Sequence, residues 1–430
     1  MFGTLAGTAG RTGAADGNGR EVGFSIPQGL AVDSARNVYV ADSLNHAIRK
    51  ITPSGVVTTV AGIAGQRGSA DGAVGVATFN QPASVAVDSA NNLYVADQGS
   101  STIRKISPSG IVTTLAGSAT QPGAKDGRGE AAQFNQPTGV TVDGAGNVYV
   151  ADRANCTIRK ITADGLVTTL AGQAGVNGSS DGLGNGAQFA QPQSVAVDAA
   201  GNIFVADSAN HTIRKISPAG EVKTLAGHAG VSGTSDGLGV AALFTSPRGI
   251  VADEAGNVYV ADTKNNTLRK ISASGEVTTI GGTVVSAGSA DGAGNHATFN
   301  QPTGVAINAW GDLYVADTGN NTIREGYVFY PEPAITGLSS TRQVLAPGQD
   351  FTLSVAAAGI GPLSFQWYHN GRPIPGATGT SIKETAANYS ANGEYAVAVT
   401  DDLGTNQKTF HVGVGSAVTQ VDTEQSKSAL

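Results

Sequence analysis

Apolar and polar residues alternate in short blocks along most of this chain, and each apolar block has the length of a β-strand. In the stretch that begins at residue 83, the blocks are 83–88, 92–97, 102–106 and 111–116, with Ser, Asn, Pro and Gly between them. Short connections of turn-forming residues join antiparallel neighbours. The first block lacks strict alternation, as expected of a strand buried on both faces. The pattern predicts a small four-stranded sheet that is covered on both faces.

This four-stranded pattern recurs six times at a spacing of 55 residues without insertion or deletion. The triplet Val-Ala-Asp, for example, ends at Asp42, Asp97, Asp152, Asp207, Asp262 and Asp317. A sheet buried on both faces and repeated in this way closes radially into a β-propeller. Residues 2–7 match residues 57–62, the fourth strand of the first repeat, in register. We therefore expect the N-terminal strand to complete the sixth blade and latch the ring.

The repeat unit resembles the bacterial NHL repeat. The resemblance lies in Gly-Val-Thr-Val-Asp at 139–143, Asn-Val-Tyr-Val-Ala-Asp at 147–152 and the segment from Asn210 to Ile216. It extends over residues 1–330 and implies a six-bladed propeller. NHL relatives include protein-binding and RNA-binding scaffolds, and similar propellers include lyases and lactonases. The family is therefore specific for the fold and only weakly specific for function.

After residue 333 the repeat stops and a different strand pattern begins. Trp367 lies twelve residues after Val355, and Tyr395 lies two residues before Val397. This spacing resembles an immunoglobulin-like sandwich over residues 333–415, with Trp367 in the core and Tyr395 at the corner. The two valines occupy the cysteine positions, so apolar packing replaces the disulfide. We expect the polar residues 416–430 to form a disordered tail.

Composition excludes several classes of function. The 430 residues carry a net charge of −7 with 14% charged residues and no basic cluster, which argues against nucleic-acid binding. A single cysteine, Cys156, excludes an intramolecular disulfide framework. No apolar stretch is long enough to span a bilayer. The chain begins at its latch strand without a basic and apolar leader, so we expect an extracellular or periplasmic monomer whose signal peptide was removed.

The candidate ligand surface is the end of the propeller that carries the long connection between repeats, such as residues 62–81. Two groups of positions vary there, the residue after the repeated Pro and the four residues after the repeated Asp. They are mostly neutral hydrogen-bonding residues, which suits a sugar or a peptide. The candidate ligand-binding residues are Gln28, His46, Arg153, Gln193, His211, Arg248 and Lys264.

The repeated ionisable residues invite a catalytic interpretation that the repeat itself contradicts, because a residue present in all six blades cannot mark one site. We expect the Asp42 series to cap the following turn and the Arg49 series to pair with carboxylates between blades. His46 and His211 lie in opposite blades, too far apart to share a zinc ion. The Asp16 series offers calcium as an alternative, but a cap on a short helical turn explains it better. We predict no cofactor and no metal site.

Two hypotheses for function follow. The first is an extracytoplasmic recognition protein that holds a polysaccharide or protein partner on the long-loop surface, with the second domain as spacer or adhesive module. The second is a lyase or hydrolase at the mouth of the propeller channel, assisted by a metal held by loop carboxylates. A stoichiometric metal in the purified protein would favour the second hypothesis.

Overall fold

The computed structural model describes residues 1–284, 286–326, 333–358, 363–400 and 405–415. The chain divides into two compact units, Met1–Val328 and Phe329–Leu430. The described residues form eight β-sheets, with short 3₁₀ turns and no α-helix. The expected disordered tail, residues 416–430, lies outside the described residues.

The described residues of the first unit form 28 strands, β1–β28. In chain order they are Phe2–Ala6, Gly17–Asn18, Pro27–Val32, Val38–Asp42, Ala47–Ile51, Val56–Gly62, Pro82–Val87, Leu93–Asp97, Thr102–Ile106, Val112–Gly117, Gly127–Arg128, Pro137–Val142, Val148–Asp152, Thr157–Ile161, Leu166–Ala171, Gly182–Leu183, Pro192–Val197, Ile203–Asp207, Thr212–Ile216, Glu221–Ala226, Gly237–Leu238, Ile250–Ala252, Val258–Asp262, Thr267–Ile271, Glu276–Gly281, Gly304–Ile307, Leu313–Asp317 and Thr322–Gly326.

The 3₁₀ turns of this unit fall into two groups. Those that follow the second strand of a repeat are Ser43–Asn45, Gln98–Ser100, Arg153–Asn155, Ser208–Asn210, Thr263–Asn265 and Thr318–Asn320. Those in the connection between repeats are Gly19–Glu21, Gly129–Ala131, Gly184–Gly186, Gly239–Ala241 and Gly294–His296.

Each of the first five repeats forms one antiparallel sheet whose four main strands follow one another in chain order, as the sequence predicts. In four repeats a strand of two residues from the preceding connection pairs with the outer edge, as Gly17 does with Val57. The sequence gives no strand signal at these positions, because one or two ladder bonds need no apolar pattern.

The sixth sheet contains the N-terminal strand. Phe2–Ala6 pairs antiparallel with Thr322–Gly326, in the position that the fourth strand occupies in the other repeats. The Phe2 ring packs edge-on against Phe299 with ring centroids 5.3 Å apart. Gly326 lies so close to this ring that a Cβ there would collide with it. The two ends of the repeat array therefore pair within one sheet.

The sixth repeat also packs on the first. A Cβ at Gly304 would collide with the carbonyl oxygen of Gln28, and Thr318 Oγ1 donates a hydrogen bond of 2.6 Å to the carbonyl oxygen of Pro27. Val40 of the first repeat shares one apolar cluster with Ala316 of the sixth. Similar clusters join other neighbouring repeats, so the first unit has a β-propeller-like arrangement.

A buried arginine network in every repeat corrects two expectations about the repeated aspartates. Arg104 is fully buried and pairs with Asp71 at 2.6 Å and with Asp97 at 3.3 Å. Asp97 accepts a hydrogen bond from the backbone N–H of Asn80 rather than capping the turn that follows it. Asp71 accepts hydrogen bonds from the backbone and hydroxyl of Thr114 and caps no helical turn. Both carboxylates therefore join loops to the sheet, in equivalent positions of every repeat.

Within the described ranges of the second unit there are strands β29–β36 and one 3₁₀ turn, Tyr389–Ala391. The strands are Ala334–Leu338, Arg342–Leu345, Phe351–Ala358, Ser364–His369, Arg372–Pro373, Ser381–Glu384, Gly393–Thr400 and Thr405–Val414. They form a three-stranded and a five-stranded sheet. Trp367, Val355 and Val397 are buried in one apolar cluster, and Trp367 Nε1 donates a hydrogen bond to the carbonyl oxygen of Gly379. Tyr395 is also buried, with its ring stacked on His369 at 4.2 Å.

Candidate functional site

The first strands of all six repeats line one cavity of about 190 Å³. The residues that follow the repeated Pro lie toward one end of these strands, and they are Gln28, Ala83, Thr138, Gln193, Arg248 and Thr303. The residues toward the other end are apolar: Val32, Val87, Val142, Val197, Ala252 and Ile307. We call the first group the polar end of the cavity. Arg248 is the one ionisable side chain among the residues that line it.

The two variable segments named in the sequence meet at the polar end. Gln28 Nε2 donates to Ser43 Oγ at 3.2 Å, so the residue after the repeated Pro contacts the residue after the repeated Asp. In the sixth repeat the equivalent residues are Thr303 and Thr318, and their hydroxyl groups form a hydrogen bond of 2.5 Å. In these two repeats the residue after the repeated Pro therefore contacts the turn that follows the second strand.

His46 and His211 do not line the cavity but join neighbouring repeats. Nδ1 of each ring accepts a backbone N–H from the next repeat at 3.1 Å, from Gln81 for His46 and from Ser246 for His211. Burial lowers the pKa of both rings, and a nearby cation, Arg67 or Lys264, lowers it further. A neutral imidazole accepts a hydrogen bond at its unprotonated ring nitrogen, so the lowered pKa values suit the acceptor role of Nδ1 in both rings.

In other repeats the residue at this position also accepts a hydrogen bond from the backbone of the next repeat. Asn266 Oδ1 accepts the backbone N–H of Gln301 at 2.8 Å, and Asn321 Oδ1 accepts that of Ile26 at 2.9 Å. The residue here has a left-handed backbone, with φ of 56° at His46, which follows a 3₁₀ turn. Alternation of side chains cannot reveal this orientation, which is why the sequence placed both histidines on the ligand surface.

Arg153 bridges the third and fourth repeats through neutral partners. Its Nη1 donates to Gln136 Oε1 at 3.0 Å and its Nη2 to Gln191 Oε1 at 3.3 Å. Sequence reasoning missed both glutamines, although each directly precedes a repeated Pro and the residue type varies there. Two amide oxygens orient the guanidinium without neutralising it.

Arg248 differs from every repeated arginine of the fold. Its side chain is exposed to the cavity, and in the described residues its guanidinium makes no hydrogen bond and no ion pair. The surrounding cavity walls partly desolvate the Arg248 guanidinium and lower its pKa, although the side chain remains open to solvent, and the positive charge of Arg153 lowers the pKa further. Gln193 lines the cavity and is half-buried, whereas Lys264 is exposed outside it. The structure thus brings Gln28, Gln193 and Arg248 to one cavity, with the charge of Arg153 acting on it.

Metal-ligating side chains do not cluster in the described residues. These residues contain no group of three His, Cys, Asp or Glu side chains arranged to hold a metal ion. The Asp71 carboxylate, one of the aspartates considered for calcium, is bound by Arg104 and Thr114. None of the helices found in these residues has the length and hydrophobicity of a membrane span.

The NHL repeat model matches six segments of the chain, which are residues 24–51, 79–106, 134–161, 189–216, 244–271 and 299–325. Each segment runs from the repeated Phe to the end of the third strand or the residue before it.

Curated relatives share this region at moderate identity. The chain is 32% identical over 282 residues to protein SUPPRESSOR OF QUENCHING 1 of Arabidopsis thaliana, covering 62% of this chain and 26% of the relative. It is 29% identical over 335 residues to human NHL repeat-containing protein 2, and the match covers 70% of this chain and 46% of the relative. It is 29% identical over 356 residues to human teneurin-4, and the match covers 73% of this chain and 12% of the relative. The chain therefore spans less than half the length of these relatives.

Solved structures share the fold at lower identity. A Bacteroides thetaiotaomicron protein of unknown function matches with a TM-score of 0.59 and 24% identity, covering 75% of this chain and 74% of the other. An auxiliary nutrient binding protein from the same species matches with a TM-score of 0.57 and 16% identity, covering 75% of each chain. One from Bacteroides ovatus has the same TM-score at 18% identity and the same coverage.

Proposed function

We propose that this protein, in which six segments match the NHL repeat model, is an extracytoplasmic recognition protein. The polar end of the cavity holds the partner, a polysaccharide or a protein. The six repeats act as a closed six-bladed propeller that fixes the positions of the ligand-binding side chains. The second unit is an immunoglobulin-like sandwich that serves as a spacer or a second adhesive module.

One observation carries this proposal: the residues after the repeated Pro, which differ between otherwise similar repeats, meet around one cavity. Gln28, Gln193 and Arg248 occupy the same repeat position and line the polar end together. Arg153 lies in the turn after a second strand, beside that end. Ligand sites are concave, with a few polar groups that fix orientation, and this arrangement has both properties.

Two further observations support the location and the second unit. The two auxiliary nutrient binding proteins share the propeller-like fold, and a binding protein of that kind is consistent with a place outside the cytoplasm. In the second unit, two sheets enclose a buried Trp367, with Val355 and Val397 in the same core. This is the packing that an immunoglobulin-like sandwich without its disulfide requires.

The enzyme hypothesis has less support. A lyase or hydrolase needs a general base or a bound metal within reach of the reacting atoms. Among the residues that line the cavity, the one ionisable side chain is Arg248, and a guanidinium stays protonated and cannot act as a base. Binding is the function that this geometry supports best.

Glycan arrays and protein arrays test the proposal. The wild type is compared with Gln193→Ala and Arg248→Ala, and with Lys223→Ala as a matched control, because Lys223 pairs with Glu221 at the outer strand of its sheet. We expect a ligand whose binding both cavity variants weaken and the control leaves unchanged. A ligand that all three variants bind as tightly as the wild type would refute the location of the site.

A further inference from the structure

The repeated arginines and Arg248 differ in whether a carboxylate balances their charge. Each repeated arginine is buried and pairs with two carboxylates, as Arg104 does with Asp71 and Asp97. Arg248 stands where the other repeats have Gln, Ala or Thr, and in the described chain its guanidinium pairs with no carboxylate. The fold therefore neutralises its repeated cations and leaves this one uncompensated inside a cavity.

A second uncompensated cation lies close by. Arg153 is held by the amide oxygens of Gln136 and Gln191, and its charge contributes to the lowered pKa of Arg248. Two like charges near a partly desolvated cavity repel each other, and an anion between them would remove that cost. Arginine is also the side chain best suited to bind a carboxylate through two parallel hydrogen bonds.

The remaining groups at the polar end are neutral. Gln28 and Gln193 offer amides, Thr138 and Thr303 offer hydroxyl oxygens, and Ala83 is the single apolar residue of the series. Peptide partners are usually anchored by aromatic or aliphatic side chains in apolar pockets, and this end has none. Amides and hydroxyls instead match the hydroxyl groups of a sugar ring. The cavity volume of about 190 Å³ is below the range of roughly 300–1,000 Å³ typical of drug-sized ligands, so one ring is the unit that suits it.

We infer that the polar end binds a uronic acid residue of an acidic polysaccharide, with the Arg248 guanidinium on its carboxylate and the Gln28 and Gln193 amides on its hydroxyl groups. This inference rests on the proposed function, because it assigns a ligand to the same cavity. Arg153 contributes long-range attraction, since its guanidinium is already occupied by two amides.

Isothermal titration calorimetry on the full chain tests this assignment. The probes are oligogalacturonate, oligoglucuronate and oligomannuronate, and each is paired with its methyl ester, which keeps the sugar and removes the charge. We expect at least one acid to bind and its ester to bind about 10-fold to 100-fold more weakly, since bonds to charged groups are worth that factor. Affinity for the acid should fall as salt concentration rises.

Two variants locate the carboxylate. Arg248→Gln keeps much of the side chain and removes its charge. It should lower the affinity for the acid to the affinity that the wild type has for the methyl ester. Arg128→Gln is the matched control, because Arg128 is an exposed arginine paired with Asp164, and it should bind like the wild type. The melting temperature of Arg248→Gln should equal or slightly exceed that of the wild type, because the lost guanidinium has no hydrogen-bond or ion-pair partner within the described residues and its repulsion from Arg153 is removed.

Each other outcome overturns the inference in a distinguishable way. Equal affinity for acid and ester, or unchanged binding by Arg248→Gln, shows that the carboxylate is not the recognised group. An array ligand that depends on Gln193 and Arg248 while no uronate binds leaves the proposed function intact and refutes the uronate. If an acidic peptide binds while no uronate does, and Arg248→Gln abolishes that binding, the recognised group is a carboxylate and the ligand is not a sugar.

Discussion

Arg36 of the first repeat lies 3.8 Å from Asp312 of the sixth and places its guanidinium 5.6 Å from the centre of the Trp310 ring. The other repeats have Gly or Asn at the Arg36 position, where the backbone is left-handed with φ of 64°. In the sixth repeat the usual order of Asp and Asn in this turn is reversed, which gives Asn308 and a fully buried Asp312. The joint between the last and first repeats therefore carries an ion pair specific to its own residues.

Arg36→Gly should weaken this joint even though glycine suits the left-handed backbone better. Removal of the guanidinium leaves Asp312 buried without the cation that faces it in the described residues. We expect a loss of about 1–3 kcal/mol in the free energy of unfolding. Hydrogen exchange should accelerate in Phe2–Ala6, which pairs within the sixth sheet. Asn91→Gly, the same change at the equivalent position of the second repeat, should be neutral or slightly stabilising. Equal effects of the two substitutions would contradict a role for the ion pair.

Phe2→Ala should release the N-terminal strand from the sixth sheet. The Phe2 ring contacts Phe299 and fills the space above Gly326 and Gly281. A buried Phe-to-Ala change costs about 3–5 kcal/mol, and thermal unfolding monitored by circular dichroism would measure it. Phe2→Leu, which keeps most of the apolar volume, should cost less than about 1.5 kcal/mol. An unaltered melting temperature in Phe2→Ala would show that the strand does not stabilise the repeat array.

The variant His46→Asn tests whether His46 joins two repeats or binds the ligand. Asn occupies this position in the fifth and sixth repeats and accepts the same backbone hydrogen bond. We therefore expect His46→Asn to keep stability within about 0.5 kcal/mol and to leave ligand binding unchanged. His46→Ala leaves the Gln81 N–H without its acceptor and should cost about 1–2 kcal/mol. Loss of ligand binding in a stable His46→Asn protein would restore His46 to the binding site.

The same position predicts a pH dependence of stability. Burial, assisted by Arg67, lowers the pKa of His46 in the folded state, so the unfolded chain takes up a proton first as the pH falls. The stabilisation is complete above the unfolded pKa of about 6.5 and is lost as the pH falls through the lower folded value. Between pH about 7 and 5, the wild type should lose more stability than His46→Asn in parallel thermal melts. Parallel pH profiles of the two proteins would contradict this linkage.

Loss of the buried arginine of a repeat should lower the free energy of unfolding far more than loss of a surface arginine. Arg104→Met leaves Asp97 fully buried without its cation and should cost about 3–5 kcal/mol. Arg128→Met removes an ion pair between exposed side chains and should cost less than about 1 kcal/mol. Urea unfolding of both variants gives the comparison, and a small effect of Arg104→Met would mean that the network adds little to stability.

The strands of the repeats could be predicted from the sequence because turn residues and apolar runs recur with one period. The partners of the repeated carboxylates could not, since Asp71 reaches Arg104 and Thr114 across 33 and 43 residues of chain. Residues after the repeated Pro could be assigned to one surface, because equivalent positions of a repeat occupy equivalent places. The orientation of His46 and the anchoring of Arg153 by Gln136 and Gln191 depend on local backbone geometry and on contacts between repeats.

A crystal structure of the protein with the strongest ligand from the arrays tests the central claim most directly. The account predicts the ligand at the polar end of the cavity, with an acidic group on Arg248 and polar groups on Gln28 or Gln193. A ligand seated instead on the outer edge of a sheet, for example around the exposed Leu183 or Leu238, or on the second unit alone, would contradict it.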